Sequence, residues 1–121
     1  SPACITLVSK NINQYDLYEF PWLKDEIHVA QPCCVYLKDN RVVSVCRSVR
    51  ISGAHEAGIE TAAQYKGKGY AAIVLAAWAE EVGAMGKIPL YSTLKTNVAS
   101  RRVAHKLGLA LFAEAFHISE E

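Results

Sequence analysis

The sequence predicts a single α/β domain (α+β): a mixed sheet with helices on both faces, in the order β-αα-β-β-β-α-β-α-β. Three observations carry this. β-rich runs cluster in the middle of the chain and are separated by short polar breaks. One long run rich in alanine, leucine and glutamate reads as a strong helix. After it, strand-like and helix-like segments alternate, which places helices over a sheet.

Each element has its own signal. Residues 4–9, "CITLVS", form a short strand rich in β-branched residues. In residues 11–27, Ile12, Tyr15, Tyr18 and Trp22 have near-helical spacing interrupted by Pro21, so one or two short helices are expected. Residues 33–51 read as a hairpin broken at Asp39-Asn40. Its second arm sets Val43 and Val45 against polar Ser44 and Arg47, the pattern of a half-buried strand. Residues 55–63, "HEAGIETAA", are the next strand, with Ile59 and Thr61 on one face and Glu56 and Glu60 on the other. The strong helix covers residues 70–82 and is apolar nearly all round, so deep coverage is expected. Gly83 and Gly86 mark its end. Residues 87–94 are a strand that tolerates Pro89 near its start. Asn97 caps a helix over 98–107, with Ala99, Val103 and Leu107 as its core stripe and Gly108 as its stop. Residues 109–118 close the chain as one strand.

Bulk properties narrow the function. A chain of 121 residues suits one domain and buries a core without metal or disulfide staples. The formal charge of +1 gives no global field for nucleic acid or membrane, so neither is expected as a partner, and any anion site must be local. The longest apolar run, "YAAIVLAAWA", is shorter than the roughly 20 residues that span a bilayer. The start, "SPACITLVSK", lacks the order of a signal peptide. The chain does not begin with Met and its only Met is Met85, so a processed product or a fragment is expected. Cys4, Cys33, Cys34 and Cys46 form no C-x-x-C pair, and neighbours Cys33 and Cys34 point to opposite sides of a strand. They read as reduced thiols of a cytoplasmic protein, with no metal.

The stretch "QYKGKGYA" places two glycines and two lysines where a strand passes into a helix. Such a helix start exposes unpaired N–H groups and the positive end of the dipole. Gly67 and Gly69 would let a phosphate reach the amides directly, and Lys66 and Lys68 add positive charge. The same residues also fit a solvated turn. Two named phosphate motifs fail: Gly53 and Gly58 are followed by Ile59 and Glu60 rather than Lys-Ser/Thr, and Gly67-Lys68-Gly69, which begins like a dinucleotide fingerprint, lies mid-chain with no repeated βαβ unit.

Two segments together resemble the GNAT superfamily of N-acetyltransferases. "ETAAQYKGKGYA" is similar to the family's loop V-x-P-x-x-[RQ]-G-x-G-x-[GA], with Thr61 in the Val slot, Lys66 in the Arg/Gln slot, then Gly67, Gly69 and Ala71. "NVASRRVAHKLGL" is similar to N-x-x-A-x-x-x-Y-x-K-x-G-F at Asn97, Lys106 and Gly108. The spacing between them and the order of elements also agree, over nearly the whole chain. The resemblance implies a mostly antiparallel sheet that binds acetyl-CoA in a V-shaped split between its fourth and fifth strands. It implies pyrophosphate on the loop of Lys66, Gly67, Lys68, Gly69, Tyr70 and Ala71. It implies a pantetheine arm paired with the strand at Ile59, Thr61 and Ala62, and contacts from Asn97 and Ser100. Acetyl would pass to a primary amine, on a small molecule or peptide, by direct attack.

Departures from the family pattern shape the remaining expectations. Lys66 and Ala63 replace Arg/Gln and Pro, and Ala104 occupies the slot of the family's general-acid Tyr; Tyr91, Ser100 or His105 are the possible substitutes. Glu56 and Glu60 are the candidate general bases, or ordinary strand-surface carboxylates. His28, His55, His105 and His117 read as surface or helix-end residues. Tyr70 and Trp78 read as core. Arg101 and Arg102 reach either the CoA phosphates or solvent. Tyr15, Tyr18, Phe20 and Trp22 line an acceptor pocket or belong to the core. Only one strand follows the last helix where the family has two, so the last family strand is expected to be missing and an open edge to favour a homodimer. The alternative function is a catalytically inactive acyl-CoA-binding sensor or assembly module.

Overall fold

A computed structural model of the chain describes residues 3–51, 53–92, 110–112 and 115–117. The chain runs β1 (Cys4–Thr6), a 3-10 turn (Ile12–Gln14), α1 (Leu23–Glu26), β2 (Cys33–Lys38), β3 (Arg41–Ile51) and β4 (Ala54–Thr61). A second 3-10 turn (Ala63–Tyr65), α2 (Tyr70–Ala84), β5 (Ile88–Ser92), β6 (Ala110–Phe112) and β7 (Ala115–His117) follow. One sheet holds the strands in the order β1-β2-β3-β4-β5-β7-β6. Every neighbouring pair is antiparallel except β4 and β5, which run parallel with α2 as their crossover.

The hairpin at Asp39-Asn40 is as expected. Both residues take positive φ, 50° and 68°. That is the two-residue geometry whose twist matches the flanking strands, and Asn and Asp tolerate it. β3 carries two irregularities: the pairing slips between Tyr36 and Leu37, leaving Val43 unopposed, and again between Ser48 and Arg50, leaving Val49 unopposed. Each extra residue bends the strand locally.

Helices cover both faces of the sheet. On one face Leu7, Ile12, Leu17, Phe20, Leu23 and Ile27 pack against Cys33, Val35, Val42 and Val45. On the other, Val74, Leu75, Trp78, Ala79 and Val82 of α2 pack against Cys34, Cys46 and Ala57. This double coverage corrects the half-buried reading of β3. Ser44 is fully buried, and its hydroxyl lies 2.7 Å from that of Thr61. A central strand between two helical layers has no wet face, so a polar residue there must find a partner.

α2 begins at Tyr70 as expected and runs two residues past the expected end, through Gly83. Gly86, at φ 75°, stops it. The Gly86 N–H donates to Gly83 O at 2.9 Å and the Lys87 N–H to Val82 O at 3.2 Å, the paired bonds of a Schellman ending. Its coverage is narrower than expected: Ile73, Ala76 and Glu80 share an exposed flank. Alanine serves equally on a dry or a wet face, so an alanine-rich helix hides its sidedness in the sequence.

The end of the chain departs from expectation. Instead of one strand over 109–118, β6 and β7 form an antiparallel pair, and β7 lies between β5 and β6. Among the described residues the sheet thus has seven strands, and the strand expected to be missing is present. No glycine or proline breaks "LALFAEAFHI", so two short strands look like one long one. The helix expected over 98–107 lies outside the described residues.

Candidate functional site: a split in the sheet beside a helix start

The β4–β5 ladder is short. Ala54, His55 and Glu56 pair with Ile88, Pro89 and Leu90, and there the pairing stops. β4 continues to Thr61 still paired with β3, while β5 turns its other edge to β7. Beyond Glu56, no described residue pairs with β4 on the β5 side. The two strands therefore part into a V closed at Glu56 and Leu90.

The backbone of β4 alternates between its two neighbours. The Ala62 N–H donates to Val43 O at 2.9 Å, toward β3. With a period of two, Gly58 and Glu60 also turn their backbone groups to β3, while Ala57, Ile59 and Thr61 turn theirs into the split. Ala62 itself is excluded from this edge, contrary to expectation. Its N–H is used by Val43, its carbonyl accepts from Tyr65 N–H at 2.9 Å, and its side chain is buried in the α1-side core.

The open end of the V meets the start of α2. Gly67 and Gly69 take φ of 81° and 85°, a conformation that costs an L-residue roughly 1–2 kcal/mol. Gly69 is the N-cap of α2, and neither a capping side chain nor an acidic residue in the first turn serves the helix start. The N–H groups of Tyr70, Ala71 and Ala72 therefore present the positive end of a 15-residue helix without a local counter-charge. Lys66, Gly67 and Lys68 are exposed. The Tyr70 ring stacks on Tyr36 of β2, with centroids 4.1 Å apart and planes at 15°. That stack anchors the helix start to the sheet and leaves the backbone as the free surface of Tyr70. No heavy atom lies within 4 Å of the place a Cβ on Gly67 would take, so this glycine is required by backbone conformation rather than by space.

The faces of β4 sort the candidate bases as expected. Ala57 and Ile59 pack on α2, and Glu56, Gly58 and Glu60 look to the α1 side. Glu60 lies toward the open end, and its carboxylate pairs with Arg47 at 3.1 Å. Glu56 stands at the closed end of the V. Arg47 is a member of this wall that sequence reading did not single out. Its guanidinium lies 4.4 Å over the Trp22 ring, and its side chain is 13% exposed. A Cβ on Gly58 would lie 3.2 Å and 3.3 Å from its guanidinium atoms and would press on the Val49 side chain. The guanidinium is thus sandwiched between an indole and a bare strand backbone. A glycine inside a strand is the signal that would have pointed here. Of the other aromatic residues, Phe20 is core, Tyr15 packs against it, and Tyr18 is exposed beneath Arg41.

His55 corrects the surface reading. It is buried, and Ser48 Oγ lies 2.8 Å from its Nδ1. Trp78 Nε1–H donates to the same Oγ at 3.0 Å. Indole is only a donor, so the serine hydroxyl is free to donate to Nδ1. Burial, then the charge of Lys87, pushes the pKa of His55 down.

The cysteines offer no nucleophile. All four are free thiols. Burial pushes Cys33 and Cys34 up to about 12 and Cys46 well above the usual thiol range. Among the described residues no group of His, Cys, Asp or Glu is arranged to hold a metal, and no helix is long and apolar enough to cross a membrane. Asn97, Ser100, Ala104 and His105 lie outside the described residues.

Comparison with known proteins agrees with this architecture. The family model described as GNAT acetyltransferase matches residues 32–114, more than half of the chain. No curated protein sequence matches. Among solved structures, a putative GNAT-family acetyltransferase from Novosphingobium aromaticivorans superposes with a TM-score of 0.72 at 19% identity, covering 97% of this chain and 55% of that one. A putative acetyltransferase from Salmonella typhimurium, solved with acetyl-CoA, gives 0.67 at 18% identity over 83% of this chain and 72% of that one. An N-acetyltransferase from Thermoplasma acidophilum, in complex with coenzyme A, gives 0.66 at 10% identity over 94% of both chains. At these identities the likeness is one of fold.

Proposed function

The chain belongs to the GNAT acetyltransferase family, and from that premise we propose that it transfers acetyl from acetyl-CoA to a primary amine by direct attack. The observation that carries this is the β5-facing edge of β4 from Ile59 to Thr61, which no described residue pairs and which opens onto an uncapped, glycine-flanked helix start. A linear arm carrying amides can add to that edge like a strand, and a pyrophosphate suits the amides at its end. The donor set fits acetyl-CoA at both places. Gly67, Gly69, Tyr70 and Ala71 hold the pyrophosphate through backbone N–H groups, with Lys66 and Lys68 supplying charge. Ile59 and Thr61 hold the arm. Asn97 and Ser100 join them by family resemblance alone.

When bound, acetyl-CoA supplies the activated acyl group. The chain supplies alignment and proton removal. The arm runs from the helix start toward the closed end of the V, so the acyl group lies nearest Glu56. Glu56 takes the proton from the attacking amine, directly or through one water. Glu60 is the weaker candidate for that task, because it stands nearer the open end, four residues from Glu56. The acceptor enters on the α1 side of the sheet, past Trp22.

The test begins with calorimetric titration of acetyl-CoA, desulfo-CoA and ATP. Micromolar binding of both CoA species, without ATP, is expected. Thiol release is then followed against a panel of primary amines. Glu56→Gln is expected to lower kcat about 10²- to 10⁴-fold while leaving the desulfo-CoA Kd unchanged. Absence of CoA binding would refute the proposal; full turnover by Glu56→Gln would remove Glu56 from its role. CoA binding with no turnover on any amine would favour the sensor reading.

A further inference from the structure

Arg47 carries a charge that neither cofactor binding nor proton removal uses. It belongs to β3, yet it reaches across the backbone of β4 at Gly58, its partner in the ladder. Three contacts fix it there. Trp22 covers one side of the guanidinium at 4.4 Å. The bare Cα of Gly58 admits the other side, because any Cβ would press on it at 3.2–3.3 Å. Glu60 takes one edge at 3.1 Å. The charge therefore stands over the middle of the open part of β4, two residues from Glu56. A guanidinium stays protonated at any relevant pH, and one that is mostly buried is weakly screened.

Resting on the proposed acetyl-CoA reading, we propose that Arg47 stabilises the negative charge that forms on the CoA sulfur as the thioester is cleaved. In that step the amine lone pair forms the N–C bond. The C–S bond breaks and its electron pair leaves on sulfur as a thiolate. The surplus amine proton goes to Glu56 and then to water, and the thiolate takes its proton from water. A strand-like arm in the split lies one strand spacing, about 4.8 Å, from β4, and its sulfur end lies toward the closed end of the V. Arg47 overhangs β4 at Gly58, two residues from the closed end at Glu56. The surrounding charges set its strength. Glu60 on β4 partly neutralises it, Glu56 lies beyond it at the closed end, and Glu26 of α1 approaches the same region, since both Arg47 and Glu26 act on the buried Cys33 thiol. An opposite charge within about 4–6 Å shifts an acid by roughly 1–3 pH units; with Glu60 opposing, the lower end applies.

This is measurable without an acceptor. The thiol of CoA bound to the chain is titrated by thiolate ultraviolet absorbance, with the desulfo-CoA complex as blank so that protein thiols cancel. Arg47→Gln is expected to raise the bound thiol pKa by about 1 unit over the wild type. Glu60→Gln is expected to lower it, because it removes the opposing charge. Equal thiol pKa values in the wild type and Arg47→Gln would overturn the inference. If Arg47→Gln does not fold, the half-exposed Glu60 provides the decisive variant, and an unchanged or raised value in Glu60→Gln overturns it. Failure of desulfo-CoA to bind the wild type would instead refute the acetyl-CoA reading beneath it, a distinct outcome.

Discussion

Ser48→Ala tests the buried network that joins α2 to the sheet. Ser48 is 3% exposed and its Oγ serves two partners, Trp78 Nε1 at 3.0 Å and His55 Nδ1 at 2.8 Å. Alanine fits the space but orphans both. Trp78 is fully buried and His55 nearly so, so water does not readily replace the hydroxyl. Each orphaned buried group costs about 1–3 kcal/mol. A tautomer change at His55 relieves only part of its share, so the total is about 2–4 kcal/mol. Against the roughly 5–15 kcal/mol of a typical domain, that is a large loss. Urea unfolding followed by circular dichroism measures it, with an unchanged m-value as the condition for comparison. Trp78→Phe supplies the control. In that background the indole donor is already gone, so Ser48→Ala costs about 1 kcal/mol less than in the wild type. A loss below about 0.5 kcal/mol in the wild type, or full additivity with Trp78→Phe, would refute the network as drawn.

Neighbouring residues give two more tests. Gly58→Ala presses a methyl against Val49 and the Arg47 guanidinium. Overpacking of this kind costs about 1–3 kcal/mol. The displaced Arg47 also withdraws from the Trp22 ring, so a fall in urea midpoint is expected together with a changed Trp22 emission; wild-type stability would show that the sandwich gives way freely. His55 makes stability depend on pH. Its folded pKa lies below the usual 6.5, so the unfolded chain binds the proton more readily. Its contribution is complete above 6.5 and is lost as pH falls from there through the folded value. Stability measured from about pH 7.5 to 5 should decline less steeply in His55→Asn, whose Oδ1 can still accept from Ser48. An identical slope would assign the decline to other groups.

Much of the fold was legible because it is written in local patterns. Asp39-Asn40 names its own turn, since few residues tolerate two consecutive positive φ angles. Gly86 and the run before it declare the end of α2. The glycines at 67 and 69 stand where backbone freedom is needed, and both take the left-handed region. The faces of β4 followed from simple alternation, which correctly separated Ile59 and Thr61 from Glu56 and Glu60. Local pattern failed wherever the answer lay in a partner element. Ser44 looked solvent-facing because its own strand alternates, but burial was imposed by α2 above it. Ala62 looked like part of the open edge until its N–H proved to belong to Val43. β6 and β7 merged into one run because no turn residue stands between them.

The sequence by itself determined the elements from β1 to β5 and their order, the glycine-flanked helix start and the family. These depend on contacts within a few residues, where spacing along the chain is spacing in space. Tertiary structure alone decided which carboxylate stands at the closed end of the split and which is held by Arg47. It alone turned His55 inward onto Ser48 and Trp78, and laid a guanidinium from β3 across Gly58 of β4. Those outcomes depend on strand register and on what covers each face, and register is settled by the packing of the whole sheet rather than by any one segment of it.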